Sequence, residues 1–480
     1  MILLTTTGIL SLNITGPTWL ATKRIDFGAA AWDTTPEALR LNASLAKPET
    51  SHQNVTLTPA CTAPEDFMKQ RLGSLIFISV FATAVGAADN WPEYRGPTAD
   101  GHSDATGLPL HWSETENIAW KTPIHDKGWS SPVIWGNKIW LTTATEDGKK
   151  YYALAIDAGT GKILHDIKLF EVENPEFCHP FNSYASPTPA IEAGRVYVHF
   201  GTYGTACLDS ETGKTIWTRR DLHCDHFRGP ASSPILDDER LYVNFDGIDA
   251  EYVVALDKAT GRTVWKRERD IDYGTTVGDL KKAYSTPMLL KTESGTQLIS
   301  PAAAATIAYD PATGSELWRV RHGGMNTSAR PLAGFGLVFL CAGDGGAFPL
   351  VAVRPGGEIV WKQSKGVPAR ASLLLVDDLL FMASDKRIAT CLDARTGQVI
   401  WQKRLNTDFI ASPVYADHRI YCFATDGSGL VFKPGREEKV LATNHLNDGC
   451  MASPAITGKA LIVRTKTHLY RIEEKEKNKG

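Results

Sequence analysis

The sequence predicts an all-β fold, an eight-bladed β-propeller, and three features carry that expectation. A Ser-Pro-type dipeptide recurs at Ser131-Pro132, Ser186-Pro187, Ser233-Pro234, Thr286-Pro287, Arg330-Pro331, Ser372-Leu373, Ser412-Pro413 and Ser453-Pro454. The spacing, roughly 40 to 55 residues, is that of a propeller blade or solenoid unit. Downstream of most marks comes a second motif, clearest as Ala255-Leu256-Asp257, Thr260-Gly261 and Trp265. It returns at Cys207-Leu208-Asp209 to Trp217, Ala308-Tyr309-Asp310 to Trp318 and Cys391-Leu392-Asp393 to Trp401. The third feature is that the array is incomplete at both ends in complementary ways.

Each repeat reads as four short strands. After the first mark come Val133 to Trp135, a turn at Gly136-Asn137, Lys138 to Thr142, Tyr151 to Ile156, the Asp-x-x-Thr-Gly turn and Lys162 to Leu169. Alternating apolar residues, β-branched side chains and punctuating Gly, Asn and Asp favour strands over helices. Asp at the start of the turn can accept backbone N–H groups two residues on, and the closing Gly supplies positive φ. Proline at the mark suits a strand that lines a central channel with an unpaired inner edge. The Trp then falls on the outermost strand, where its ring can fill the wedge against a neighbouring blade.

The outer-strand position is taken in turn by Trp120, His165, Trp217, Trp265, Trp318, Trp361, Trp401 and Leu441. Trp120 precedes the first mark, and the last repeat (Pro454, Lys459 to Arg464, His468 to Ile472) lacks a fourth strand. The two ends therefore complete one blade, the closure that protects a ring's seam. A linear solenoid would need capping repeats at both ends, and none is visible.

The Ala-Leu-Asp-x-x-Thr-Gly-x-x-x-Trp pattern resembles the pyrroloquinoline quinone (PQQ) repeat, the blade unit of quinoprotein dehydrogenases and of BamB-type outer-membrane assembly proteins. The resemblance covers Ile118 to Ile472. Trp91-Pro92-Glu93-Tyr94-Arg95-Gly96-Pro97 and Leu108-Pro109-Leu110-His111-Trp112-Ser113 also resemble the lead-in of secreted bacterial propellers of this repeat, which implies that residues 88–116 pack on a propeller of residues 117–473. In the related dehydrogenases a Glu/Asn/Asp set holds the quinone with Ca²⁺, and an adjacent-Cys disulfide commonly covers its ring. This chain has no Cys-Cys pair and no Cys-x-x-Cys-His haem motif, so bound PQQ is not expected. It also lacks the glycine loop, catalytic loop and Asp-Phe-Gly of the kinases to which such repeats are sometimes fused as sensors.

The bulk numbers agree with a globular chain: 480 residues, 43% apolar, 22% charged and a net charge of -3. That balance offers no basic field for nucleic acid. Lys69 and Arg71, the apolar run from Leu72 to Val85 and Val85-Gly86-Ala87 have the order of a secretory signal. Residues 68–87 are therefore expected to be a signal peptide and 1–67 a mis-called extension or unstructured leader, which places the mature protein in the periplasm or outside the cell. Residues 474–480 form a charged tail.

Catalytic signatures are absent: there is no His-Glu-x-x-His, Gly-x-Ser-x-Gly or Walker loop. Cys178-His179 and His223-Cys224-Asp225-His226 lie at similar offsets before consecutive marks, which puts both loops on one face near the channel mouth. Cys178, His179, Cys224 and His226 can bind a metal such as Zn²⁺ or Cu, Cys178 and Cys224 can instead form a disulfide, or all four can be ordinary loop residues. Loops before the inner strands carry Trp129, Asn182, Tyr184, Arg228, Tyr284, Asn326 and Arg370, a set of aromatic and Arg anchors suited to recognition. The expected function is a non-catalytic extracytoplasmic scaffold holding a protein, peptide or glycan, in one version during envelope assembly. The alternative is a quinone- or metal-dependent oxidoreductase.

Overall fold

The computed structural model describes residues 90–346 and 349–475; the expected leader and signal segments lie outside the described residues. Among the described residues there are eight four-stranded antiparallel sheets and, apart from two short 3-10 turns, no helix. No helix is long and apolar enough to cross a membrane among the described residues. Blade 1 runs from Val133–Trp135 inside, through Lys138–Ala144 and Lys150–Asp157, to Ile163–Glu171 outside. Blades 2 to 7 repeat this order over residues 190–219, 235–268, 288–321, 332–363, 374–404 and 414–445. Blade 8 takes Ala455–Thr457, Ala460–Arg464 and His468–Glu473 from the C-terminal end and its outer strand, Ile118–Pro123, from upstream of blade 1. The register Lys121↔Tyr470 and Pro123↔His468 closes the ring as the sequence implies.

The repeated Trp joins five of the eight blades to the next. Trp217, on the outer strand of blade 2, donates from Nε1 to the Lys258 carbonyl in the turn of blade 3 at 3.0 Å. Trp120, Trp265, Trp361 and Trp401 repeat the link to Ala158, Pro311, Ala394 and Gly435. His165, which stands where blade 1 would carry Trp, bonds the Glu211 carbonyl at 2.9 Å. Trp318 departs from the pattern and bonds Gln297 Oε1 within its own blade.

The receiving turn is built for that ring. Asp257 Oδ1 accepts from the Thr260 backbone N–H and hydroxyl, and Gly261 adopts φ +73°. A Cβ on Gly261 would stand 2.7 Å from the Trp217 ring, so this position needs Gly for both conformation and space. Those hydrogen bonds, the Thr260 hydroxyl first, hold the Asp257 carboxyl below its ordinary range.

Around the channel the inner marks are tied hydroxyl to backbone. Ser131 N–H donates to Thr188 Oγ1, Thr188 N–H to Ser233 Oγ and Ser233 N–H to Thr286 Oγ1. The series resumes from Arg330 N–H to Ser372 Oγ, then to Ser412, Ser453 and back to Ser131. Arg330 has no hydroxyl to offer Thr286, and its Nε donates instead to the Pro287 carbonyl at 3.1 Å. This ring corrects the sequence reading in blade 2, where the structural mark is Thr188-Pro189. Ser186, two residues earlier, turns its hydroxyl to Asn182 Oδ1 at 2.6 Å.

Candidate functional site

The lead-in reaches into the ring from one side. Trp91 bridges to Ile134, and the Tyr94 hydroxyl bonds Ser372 Oγ at 3.2 Å and Ser412 Oγ at 2.8 Å. Buried Arg95 donates to the Pro413 and Leu373 carbonyls. Burial lowers the Arg95 pKa to about 10, against the opposing attraction of Tyr94 and Asp100. Tyr94 and the inner-ring hydroxyls of Ser131, Thr188, Ser233, Thr286 and Ser453 thereby line a cavity of about 330 Å³ that opens on the opposite face.

Six of the seven expected recognition residues meet at this cavity: Trp129, Asn182, Arg228, Tyr284, Asn326 and Arg370. Each stands just before an inner strand, so the blade geometry turns it toward the axis. Tyr184 does not join them. Its ring packs edge-on against Tyr151 and Tyr203 in the wedge between blades 1 and 2, and its hydroxyl donates to the Glu176 carbonyl at 2.7 Å.

The mouth is spanned by residues from opposite sides of the ring. The Arg370 guanidinium of the loop before blade 6 lies 5.2 Å from the Phe181 ring of the loop before blade 2. That second loop is held down by Trp129 Nε1 on the Phe181 carbonyl and Lys127 Nζ on the Pro180 carbonyl. Arg370 also pairs with Asp385, and Arg228 stands 3.6 Å from Asp279. Asp279 is bonded more closely by Lys282, which lowers the Asp279 pKa. Phe181 and Tyr94 escaped the sequence reading because neither sits in the repeat motif and their partners lie far along the chain.

The four Cys and His candidates share the face but not a site. Cys178 Sγ lies against Gly229, 3.6 Å from the Arg228 carbonyl, and burial pushes the thiol up to about 11. His179 Nδ1 accepts from the Phe181 N–H. Cys224 and His226 are buried beside each other at 3.5 Å, with His226 packed on Gly201 and stacked over Phe245. Among the described residues no three His, Cys, Asp or Glu side chains converge to hold a metal ion, and the seven described cysteines are free thiols. The Cys178–Cys224 bridge and the four-residue metal set are thus not formed, because the second Cys-His pair turns into the core beneath the loop.

Burial lowers His226 to about 4 and His199 to about 3. Both are neutral in the folded chain, while in the unfolded chain they take up protons below about pH 6.5. The stability that follows is complete above about pH 6.5 and is lost as pH falls toward 4. Urea denaturation should therefore show a loss of about 1–2 kcal/mol per histidine between pH 7 and 5. His226→Gln should flatten that slope, and an unchanged slope would contradict the assignment.

Similarity to known proteins follows the fold. BamB from Moraxella catarrhalis is 12% identical with a TM-score of 0.54, over 74% of this chain and 99% of that one. A europium-containing methanol dehydrogenase gives 12% and 0.55 over 79% and 88%. The quinohemoprotein alcohol dehydrogenase of Comamonas testosteroni gives 10% and 0.58 over 82% of each chain. At these identities the likeness is one of architecture alone. No curated protein matches the sequence. Residues 110–268, 249–352 and 349–467 match the model of the family described as outer membrane protein assembly factor BamB, and the chain belongs to that family.

Proposed function

We propose that this protein is an extracytoplasmic binding propeller without catalytic activity, whose channel mouth holds a protein, peptide or glycan during envelope assembly. The observation that carries this reading is the cavity: floored by Tyr94, ringed by hydroxyls and rimmed by Trp129, Phe181, Arg228 and Arg370. Aromatic and arginine side chains around a concave, preformed site are the anchors of recognition surfaces. The family description supports a role at the cell envelope.

The lining does not fit the quinone chemistry of the dehydrogenases. It includes no Asp or Glu, the donors a hard cation such as Ca²⁺ requires, and no adjacent-Cys pair exists to cover a ring.

Cross-linking in the native envelope should capture a discrete partner on the intact chain. The paired substitution Trp129→Ala and Arg228→Ala should reduce capture by about ten-fold or more, the scale of losing hot-spot anchors. Its melting temperature should stay close to that of the parent. Full capture by the variant would overturn this face, and reduction of an artificial electron acceptor by the purified protein would favour the oxidoreductase.

A further inference from the structure

We infer that the cavity receives the C-terminal carboxylate end of a peptide chain; this rests on the reading of the channel mouth as a binding face. Two buried polar atoms of its lining lack a hydrogen-bond partner, and they are of opposite kind: the donor Arg228 Nε and the acceptor Asn326 Oδ1. A buried polar atom left unpaired is costly and calls for a partner. The amide orientation of Asn326 is fixed by chemistry, since its Nδ2 donates to Asp344 Oδ2 at 3.1 Å and a carboxylate only accepts. Asn326 is 8% exposed.

A peptide terminus supplies both complements at neighbouring positions. Its carboxylate accepts from the arginine, and its last backbone N–H donates to Asn326 Oδ1.

Charge distribution favours an anion. Among the described residues no carboxylate lines the cavity, whereas Arg228 and Arg370 do. Asp279 pairs with Arg228, and Asp344 and Asp385 pair with Arg370, which orients both guanidinium groups. Arg228 is the freer of the two, because Asp279 is engaged more closely by Lys282. An incoming carboxylate can therefore take the arginine fork without displacing a tight ion pair.

The surroundings favour a chain end over a small free anion. Phe177 (59% exposed), Phe181 (44%), Val277 (54%) and Leu280 (40%) are exposed large apolar side chains. Phe181 lines the cavity, Phe177 contacts Phe227 beside Arg228, and Val277 and Leu280 flank Asp279, the partner of Arg228, so exposed apolar side chains stand in the loops that carry this side of the mouth. A ligand sunk wholly in about 330 Å³ would leave those side chains unused. A peptide whose last residues fill the cavity lays its preceding residues across them.

The test uses the full chain and two pools of N-acetylated tetrapeptides randomised at the last three positions, one with free carboxylates and one amidated. A mixture of neutral oligosaccharides forms a third arm. Affinity selection read by mass spectrometry should enrich peptides from the free-carboxylate pool alone. Amidating an enriched sequence should weaken its binding at least about ten-fold in titration calorimetry. Arg228→Lys, which keeps the charge but removes Nε, and Asn326→Gly, which tolerates the positive φ, should each weaken it by about ten-fold or more while the circular dichroism spectrum of the fold is retained.

Equal retention of the amidated pool, enrichment of oligosaccharides alone, no enrichment from any arm, or full affinity in both variants would overturn the inference. In those cases continued loss of partner capture by the Trp129 and Arg228 pair would leave the binding-face reading standing. Intact capture by that pair would remove the reading itself.

Discussion

A chain beginning at Ile124 will fail to form a cooperative, monomeric fold, although it retains every inner mark and all but one of the described strands. The missing strand, Ile118–Pro123, is the outer wall of blade 8 and pairs along its length with His468–Glu473. Its loss bares the edge of a strand whose Leu469, Tyr470 and Ile472 are otherwise fully buried. It also removes Trp120 from the turn of blade 1, where the ring seats on Gly161 and Nε1 bonds the Ala158 carbonyl at 3.0 Å. The ring therefore loses its seam and gains an aggregation-prone edge in one step. The expected cost is at least about 5 kcal/mol, comparable with the whole stability of an ordinary domain. Size-exclusion chromatography and urea denaturation check this against a chain beginning at Asn117, which lacks the lead-in but keeps the strand, and a chain ending at Thr467 should fail in the same way. A truncated protein with the parent's elution volume and midpoint would show that the ring does not need closing.

The parts of this architecture that were legible in the sequence are those with local chemistry. The Asp-x-x-Thr-Gly turn writes its own hydrogen bonds within five residues, and the Trp that docks on it recurs at a fixed offset. Strand order and closure followed from counting such units. Blade 2 misled because two dipeptides of the same type, Ser186-Pro187 and Thr188-Pro189, stand side by side, and only the bond from Ser131 to Thr188 decides between them.

The site was legible to the extent that position in a blade determines direction. Residues just before an inner strand point to the axis, which found Trp129, Arg228 and Arg370. Tyr184 obeys a different force, an aromatic wedge with Tyr151 and Tyr203 from neighbouring blades. Equal offsets put Cys178 and Cys224 on one face but did not say that Cys224 turns inward. Contacts across the ring, such as Phe181 on Arg370, or from the lead-in, such as Tyr94 on Ser412, join residues that no local pattern relates.

Arg330→Met should destabilise the protein by about 3 kcal/mol, the lower end of the cost of stranding one member of a buried ion pair, because Arg330 is buried but Glu93 is 19% exposed. Arg330 interrupts the hydroxyl ring, and its guanidinium takes over three tasks there. Nε holds the Pro287 carbonyl, one terminal nitrogen holds the Tyr94 carbonyl at 2.5 Å, and the other pairs with Glu93 at 3.1 Å. Burial raises the Glu93 pKa, and Arg330 is what opposes that rise. With methionine in its place, Glu93 must take up a proton or remain charged without a partner, and the Tyr94 carbonyl loses its donor. Glu93→Gln combined with Arg330→Met should recover part of the loss, because the stranded charge is then gone, so a double-mutant cycle will be strongly non-additive. The same substitution should loosen the cavity floor, since Tyr94 is both the residue Arg330 holds and the base of the site. Partner capture should then weaken at temperatures where the blades themselves remain folded. A loss below about 1 kcal/mol with additive cycles would mean that Trp91, the Tyr94 hydroxyl and Arg95 anchor the lead-in without Arg330, and that the arginine in the ring is a substitution the fold merely tolerates.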